Sequence, residues 1–289
     1  MSGRQPIRRS VTTLGRIDGA WSLGPASTAQ PVSASRYASF KHGDGSHLTR
    51  FAQALVAACA PALPAQGTPL YVTSSGYGRT PPAAAGLLDP SLDALRAAGW
   101  DARGFHTHRD SVTPADYATL DVKQRGLVLS ADQLHARLPA GTLRGATVLA
   151  LDDVVVTGVH ERALEAALLR DGAARVVHGY LVDASGAASE PQVEAVLNGT
   201  AGSEPAALLA LARSTHFVPN SRFLKAVLRL PSGPRTRLLA SLPSPLVEWM
   251  GMGALSDGLE QVPDLADGVP ELLRAAAACA HGASSAASA

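Results

Sequence analysis

The chain has 289 residues, a formal net charge of +1 and 17% charged residues. This length suits one large domain or a domain and a half with a buried core, and the balanced charge does not indicate a nucleic-acid or membrane partner. Cys59 and Cys279 lie far apart in alanine-rich segments, which argues against a disulfide framework and against a metal site. The sequence shows neither an apolar leader nor a membrane-length apolar run, so we expect a cytoplasmic protein.

The first sixty residues contain two different patterns. Residues 1–33 mix small polar residues with proline, which predicts a flexible or irregular arm, although an alternation at residues 11–14 is compatible with an edge strand. Residues 35–45 combine aromatic, basic and glycine residues ahead of an amphipathic helix expected over residues 47–60. A capped turn explains the glycines, whereas Arg36 and Lys41 are candidates for contact with phosphate or pyrophosphate.

Residues 69–106 predict two core strands with a polar loop and a helix between them. The strands are expected over residues 69–72 and 102–106. A loop rich in hydroxyl residues and glycine follows the first strand and precedes a helix opened by two prolines. Its candidate binding residues are Ser74, Ser75, Gly76 and Arg79. A loop of this composition at a helix N-terminus is suited to binding an anion, and a plain turn is the alternative.

Residues 107–126 show neither the helical nor the strand periodicity of apolar residues. A polar stretch of this length inside a domain is usually a functional lid or disordered. Arg109, Lys123 and Arg125 are its candidate functional bases, and the alternative is that they are ordinary solvated charges. A helix is then expected over residues 130–138.

The stretch from Thr147 to Glu161 organises the rest of the chain. Residues 148–151 form an apolar run that predicts a buried strand, which we expect to end at two carboxylates. Asp152 and Asp153 would therefore lie at the carboxyl edge of a sheet, where open α/β sheets bind ligands. Three valines lead to a Thr-Gly turn, and a helical period follows over residues 160–170. The turn and the first helical amides are suited to an anion, because unpaired N–H groups and the helix dipole point the same way.

Paired acids followed by an anion-binding turn fit a ligand with hydroxyls at one end and a phosphate at the other. The stretch resembles the phosphoribosyl-diphosphate (PRPP) motif of the type I phosphoribosyltransferases, which has four apolar residues, two acids, an apolar segment and Thr-Gly. The chain departs from that pattern at Val159-His160, where the family usually has a small residue and then Thr. The form of this motif, together with residues 35–45, is also similar to an uncharacterised bacterial branch found in tellurite-resistance and stress gene clusters.

The resemblance implies a fold and a set of roles. The fold would be α/β, an open mainly parallel sheet flanked by helices, with a helical C-terminal cover. Asp152 and Asp153 would hold the ribose hydroxyls, and the 5′-phosphate loop would consist of Val156, Thr157, Gly158, Val159 and His160. The pyrophosphate-binding residues would be Ser74, Ser75, Gly76, Arg79, Arg36 and Lys41. Catalytic residues would include the two acids and the lid bases Lys123, Arg125 and Arg109.

The implied reaction is transfer of a 5-phosphoribosyl group from PRPP to an unidentified base-like acceptor. Mg²⁺ would bind chiefly through the diphosphate and waters, with Asp152 and Asp153 as further ligands. The expected partners are small molecules only, and the family implies a homodimer. We expect an arm at residues 1–33, a PRPP-binding core at 34–186, a helical cover at 187–281 and a disordered tail at 282–289. A strand over residues 174–182 should border the same cleft.

Three alternatives stay open. The acids could merely cap the next helix of a Rossmann-like unit. The protein could instead be a PRPP- or nucleotide-sensing module that has lost the chemistry. A phosphohydrolase with Asp152 as nucleophile is disfavoured, because three valines occupy the place where a second catalytic acid would be expected.

Overall fold

The computed structural model describes residues 6–17, 20–26, 32–110, 133–190, 193–198 and 204–286. Its main feature is a six-stranded sheet with the order β2-β1-β8-β7-β3-β4. The strands of the sheet are β1 (Ile7–Ile17), β2 (Ala20–Pro25), β3 (Pro69–Ser74), β4 (Asp101–Gly104), β7 (Thr147–Val155) and β8 (Arg175–Asp183). Only β2 runs antiparallel to its neighbour in this sheet. Two short strands, β5 (Thr107–Arg109) and β6 (Leu134–Ala136), form a separate antiparallel pair.

The helices that precede and flank the sheet come from the first two thirds of the chain. They are α1 (Ala34–Lys41), α2 (Leu48–Cys59), α3 (Leu88–Ala97), α4 (Val159–Arg170) and α5 (Val193–Asn198). A 3₁₀ helix over Ala83–Leu87 leads into α3. A mainly parallel sheet needs such cover on both faces, because its strands carry apolar side chains on both.

Strand β7 shows this two-sided burial. Leu149 and Leu151 belong to one hydrophobic cluster with side chains of α2, whereas Val148 and Ala150 belong to another with side chains of α4. Side chains alternate along a strand, so an unbroken apolar run fills both layers. The predicted open, mainly parallel α/β fold is confirmed.

The C-terminal part of the chain is helical. Its helices are α6 (Pro205–Ala212), α7 (Ser221–Leu228), α8 (Ser232–Ser241), α9 (Ser244–Ser256), α10 (Pro263–Ala266) and α11 (Val269–Ala286). They bury a hydrophobic cluster of their own, which includes Phe223, Val247 and Leu272. No described helix combines the length and the hydrophobicity that a membrane span requires.

The structure corrects the expected N-terminal arm. Strand β1 lies inside the sheet beside β8, and β2 occupies the sheet edge next to it. Val11 and Leu14 are buried in the main core cluster, so an alternating segment of the supposed arm completes the core. The division into core and cover at residue 187 stays a prediction, although Val193 and Leu197 of α5 pack in the main core cluster.

Three further expectations differ from the structure. Strand β7 does not end at residue 151 but continues through both acids to Val155. Residues 134–136 form strand β6, where a helix was expected, because they pair with β5. Helix α11 continues into the predicted tail as far as Ala286, as an alanine-rich sequence allows.

Candidate active site

A cleft of about 260 Å³ opens at the carboxyl ends of β3 and β7. It is lined by the two acids of β7, the turn that follows them, the loop after β3 and side chains of the C-terminal helices. This is the edge at which α/β sheets bind ligands. The structure therefore brings together Asp152, Asp153 and the complete turn from Val156 to His160 around one cavity.

Asp152 and Asp153 have different surroundings although they are adjacent. Because side chains alternate along a strand, the two carboxylates point to different sides of β7. Asp152 is 20% exposed, and its Oδ2 lies 3.9 Å from Nε2 of His160 on α4. Asp153 is 6% exposed and faces α1. Burial raises the pKa of Asp152 to about 6.

Lys41 at the end of α1 neutralises Asp153. Its ammonium group donates to Asp153 Oδ2 at 2.7 Å and lies 3.5 Å from Glu194 Oε1 on α5. All three residues are at least nine-tenths buried. Burial opposes the charge of Lys41, but Asp153 and Glu194 outweigh it and raise the pKa of the ammonium group. Lys41 therefore pairs directly with one buried acid and lies close to a second at the ribose end of the predicted site.

The turn between β7 and α4 has the geometry of an anion-binding loop. Gly158 precedes the first residue of α4 and has φ of +66°, a left-handed conformation that favours glycine. Thr157 Oγ1 accepts a hydrogen bond from Val159 N at 3.5 Å. His160 follows in the first turn of α4, and burial lowers the pKa of its imidazole to about 4. His160 is therefore neutral near pH 7, so its imidazole adds no charge to the positive end of α4.

The loop after β3 forms the opposite wall of the cleft. Ser75 and Gly76 line it, whereas Ser74 is buried at the end of the strand. A Cβ at Gly76 would lie 2.7 Å from Leu134 Cδ2, so a larger residue there would force the buried side chain of Leu134 on β6 to shift. Asp257 holds this loop from the C-terminal helices, because its carboxylate accepts from Arg79 N and Thr80 N, each at 3.2 Å.

The predicted bases do not all reach the cleft. Arg109 lines it from β5. Arg36 is exposed on α1, and the exposed side chain of Arg79 points to Met252 Sδ at 3.6 Å, so neither belongs to the lining. Lys123 and Arg125 lie outside the described residues.

Sequence reasoning missed the part of the site that the cover contributes. Helix α7 brings Arg222 and Lys225 to the cleft, and α5 brings Glu194. Arg222 lies 3.8 Å from Glu194, which extends the charge network around Lys41. One signal was available, because lysine is rare in this chain and Lys41 and Lys225 both line the cleft.

The donor atoms of the cleft suit Mg²⁺ only when a substrate supplies most of its ligands. Among the described residues, no three His, Cys, Asp or Glu side chains form a group that could hold a metal ion. One oxygen of Asp152 accepts from Asp153 N at 2.9 Å, and Asp153 is occupied by Lys41. Mg²⁺ usually keeps several waters and uses one or two carboxylates beside phosphate oxygens, which this arrangement can provide.

Comparisons with solved structures give hypoxanthine phosphoribosyltransferases. The enzyme from Staphylococcus aureus is 14% identical, with a TM-score of 0.32 over 48% of this chain and 64% of that one. The enzyme from Trypanosoma cruzi is 15% identical, with a TM-score of 0.31 over 51% of this chain and 66% of that one. The chain thus spans slightly less than two thirds of their lengths.

No curated protein matches the sequence. The family comparison is decisive, because residues 24–242 match the family described as PRTase ComF-like. This match covers most of the chain, including strands β3, β4, β7 and β8 of the sheet, the two acids, the turn from Val156 to His160 and the first helices of the cover. The chain belongs to the ComF-like phosphoribosyltransferase family.

Proposed function

We propose that this protein transfers the 5-phosphoribosyl group of PRPP to a base-like nucleophile and releases pyrophosphate. The observation that carries the proposal is that one cleft contains both carboxylates of β7 and the complete turn that leads into α4. A pentose phosphate needs hydroxyl acceptors at one end and N–H donors at the other. The family membership supports phosphoribosyl chemistry in general terms.

The two ends of the cleft bind different parts of PRPP. Asp152 accepts hydrogen bonds from ribose hydroxyls, and Asp153 does so while Lys41 keeps it ionised. The N–H groups of the turn around Gly158 hold the 5′-phosphate, because the first N–H groups of a helix have no partner within the helix and lie at its positive end. Ser75 and Gly76 border the diphosphate on the facing loop.

Catalysis then rests on position and charge. Breaking the bond between ribose C1 and the diphosphate oxygen leaves positive charge on the ribose ring and the bonding electron pair on pyrophosphate. The acceptor nitrogen forms the new bond to C1 and loses its proton to solvent or to a neighbouring carboxylate. Preorganised charges are most effective here, and the cleft supplies carboxylates for the ring and Arg109 and Lys225 for the leaving group. Asp152 is the residue placed to hold Mg²⁺, which would neutralise part of the charge of the diphosphate.

A coupled pyrophosphate assay tests this proposal. The full-length protein is incubated with PRPP, Mg²⁺ and a panel of purine, pyrimidine and pyridine bases, and pyrophosphate release is followed. Release that depends on one acceptor supports the transferase. Asp152→Asn should lower kcat/KM with that acceptor by about a hundredfold, since it removes a charge that acts in the transition state. An unchanged rate in this variant contradicts the assigned role.

A second candidate function is a PRPP-sensing module without transfer. Lys41 engages Asp153, and Val159-His160 replaces the residues usual at the end of the turn. Saturable PRPP binding without pyrophosphate release under every acceptor favours this alternative. The absence of PRPP binding in calorimetry contradicts both functions.

We further propose that the protein belongs to the bacterial branch found in tellurite-resistance gene clusters. The proposal rests on residues 35–45 together with the form of the motif that contains Asp152 and Asp153. Such a protein would act in a cytoplasmic nucleotide-like or stress pathway and would form a homodimer. Light scattering on the purified protein tests the dimer directly, and a monomeric mass contradicts it.

A further inference from the structure

A buried acid lies immediately behind the phosphate-type turn. Glu161 occupies the first turn of α4 and is 2% exposed. The positive end of a helix attracts an acid in this position, but the same positive end is needed for a phosphate. An uncompensated carboxylate here would repel a phosphate dianion, and low local polarity would strengthen the repulsion.

Arg8 of β1 binds this acid through one edge of its guanidinium group. Its Nε donates to Glu161 Oε1 at 3.0 Å, and its Nη2 donates to Glu161 Oε2 at 2.6 Å. Its Nη1 lies 3.7 Å from Asp183 Oδ2 at the end of β8. The hydrogen bond to Glu161 raises the pKa of Arg8, so the guanidinium stays charged. A bidentate pair of this kind fixes both orientation and charge.

The pair lies against the backbone of the turn. A Cβ placed on Gly158 would lie 3.2 Å from Glu161 Oε2 and 3.4 Å from Arg8 Nη2. Arg162 Nη1 would be 3.0 Å from the same point, and it donates to Thr157 O at 3.4 Å. A charge on Glu161 therefore acts directly on the turn, because its carboxylate lies against the backbone of Gly158.

We propose that Arg8 is a positioning residue of the 5′-phosphate site, which cancels the charge of Glu161 and holds it behind the turn so that the N–H groups can accept a phosphate. The inference rests on the proposed function and gives a strand outside the motif an indirect influence on phosphate affinity. The net charge of the Arg8–Glu161 pair, not a direct contact between Arg8 and phosphate, controls affinity for the monophosphate end of the ligand.

Calorimetric titration with ribose 5-phosphate tests the inference through four proteins. Arg8→Gln leaves the pair with one negative charge and should raise Kd about tenfold. Glu161→Gln leaves one positive charge and should lower Kd at least threefold. The double variant restores neutrality and should bind within about threefold of the wild type. Arg16→Gln, which breaks the exposed ion pair between Arg16 and Glu190 on the same strand, is the matched control and should not change Kd.

Each other outcome is decisive. A double variant as weak as Arg8→Gln means that Arg8 contacts phosphate itself, which overturns the inference. An unchanged Kd in Arg8→Gln or in Glu161→Gln overturns it as well. If Arg8→Gln does not fold, the double variant and Glu161→Gln decide the question alone. If the wild-type protein binds neither ribose 5-phosphate nor PRPP, the proposed function is refuted. Failure of the proposed function is therefore distinguishable from failure of the inference about Arg8.

Discussion

A cation neutralises a buried acid on each side of β7 near its carboxyl end, but the two acids have different relations to the ligand. On the α1 side, Lys41 pairs with Asp153, which is itself predicted to contact the ligand. On the α4 side, Arg8 pairs with Glu161, which lies behind the turn and does not need to touch the ligand. In both cases a cation from the N-terminal part of the chain neutralises a buried acid. The difference teaches that disruption of the first pair should affect stability most, whereas disruption of the second should affect affinity most.

The largest expected effect is that of Lys41→Met. This change leaves Asp153 and Glu194 buried without their shared cation, and breaking a buried ion pair in this way typically costs about 3–5 kcal/mol. Urea denaturation at pH 7.5 measures the loss in the free energy of unfolding. Arg36→Met is the control on the same helix, where an exposed charge should change stability by less than about 0.5 kcal/mol. Equal effects of the two variants would contradict the comparison.

Asp153→Asn should have a smaller effect of the same sign. The amide leaves Lys41 with Glu194 as its acidic partner, at the longer distance of 3.5 Å. Burial raises the pKa of Asp153 to about 6 even beside Lys41, which by itself favours a neutral amide, but the amide also leaves a buried ammonium without its closest counter-charge. We expect the second effect to prevail, so the free energy of unfolding at pH 7.5 should fall by about 1–3 kcal/mol. The same urea denaturation measures it. A variant more stable than the wild type would show that burial of Asp153 outweighs its pairing with Lys41.

Asp152→Asn should have the opposite sign. Burial raises the pKa of Asp152 from 3.8 to about 6, so this group favours the folded state below pH 4 and that contribution is lost as pH rises through 6. An asparagine has no charge to bury and can still accept from Asp153 N. We therefore expect the variant to gain about 1–3 kcal/mol at pH 7.5 and nothing at pH 4, while binding PRPP more weakly. Thermal unfolding across this pH range measures the gain, and a pH-independent difference would contradict it.

The sequence predicted the order of the local elements from β7 to α4, although β7 continues to Val155 instead of ending before the acids. The apolar run, the acids, the Thr-Gly turn and the start of α4 are contiguous, and their order alone placed them at a sheet edge. The C-terminal part of the chain was also expected to be helical, and its described residues form the helices from α5 to α11. Local propensity and periodicity determine such features.

The charge pairs could not be predicted, because they join residues that only the tertiary fold brings together. Lys41 and Asp153 are 112 positions apart, and Arg8 and Glu161 are 153 apart. Arg36 and Lys41 looked equivalent in the sequence, yet only Lys41 reaches the cleft, because the two lie on different faces of α1. Strand β1 was underestimated for the same reason, since its partner β8 lies far along the chain.

The most direct test of the account is a crystal structure of the protein with PRPP and Mg²⁺. We predict the 5′-phosphate on the N–H groups of residues 156–160, the ribose hydroxyls on Asp152 and Asp153, and the diphosphate beside Ser75 and Gly76. PRPP bound with its phosphate away from this turn, or with its ribose out of reach of both carboxylates, would contradict the account.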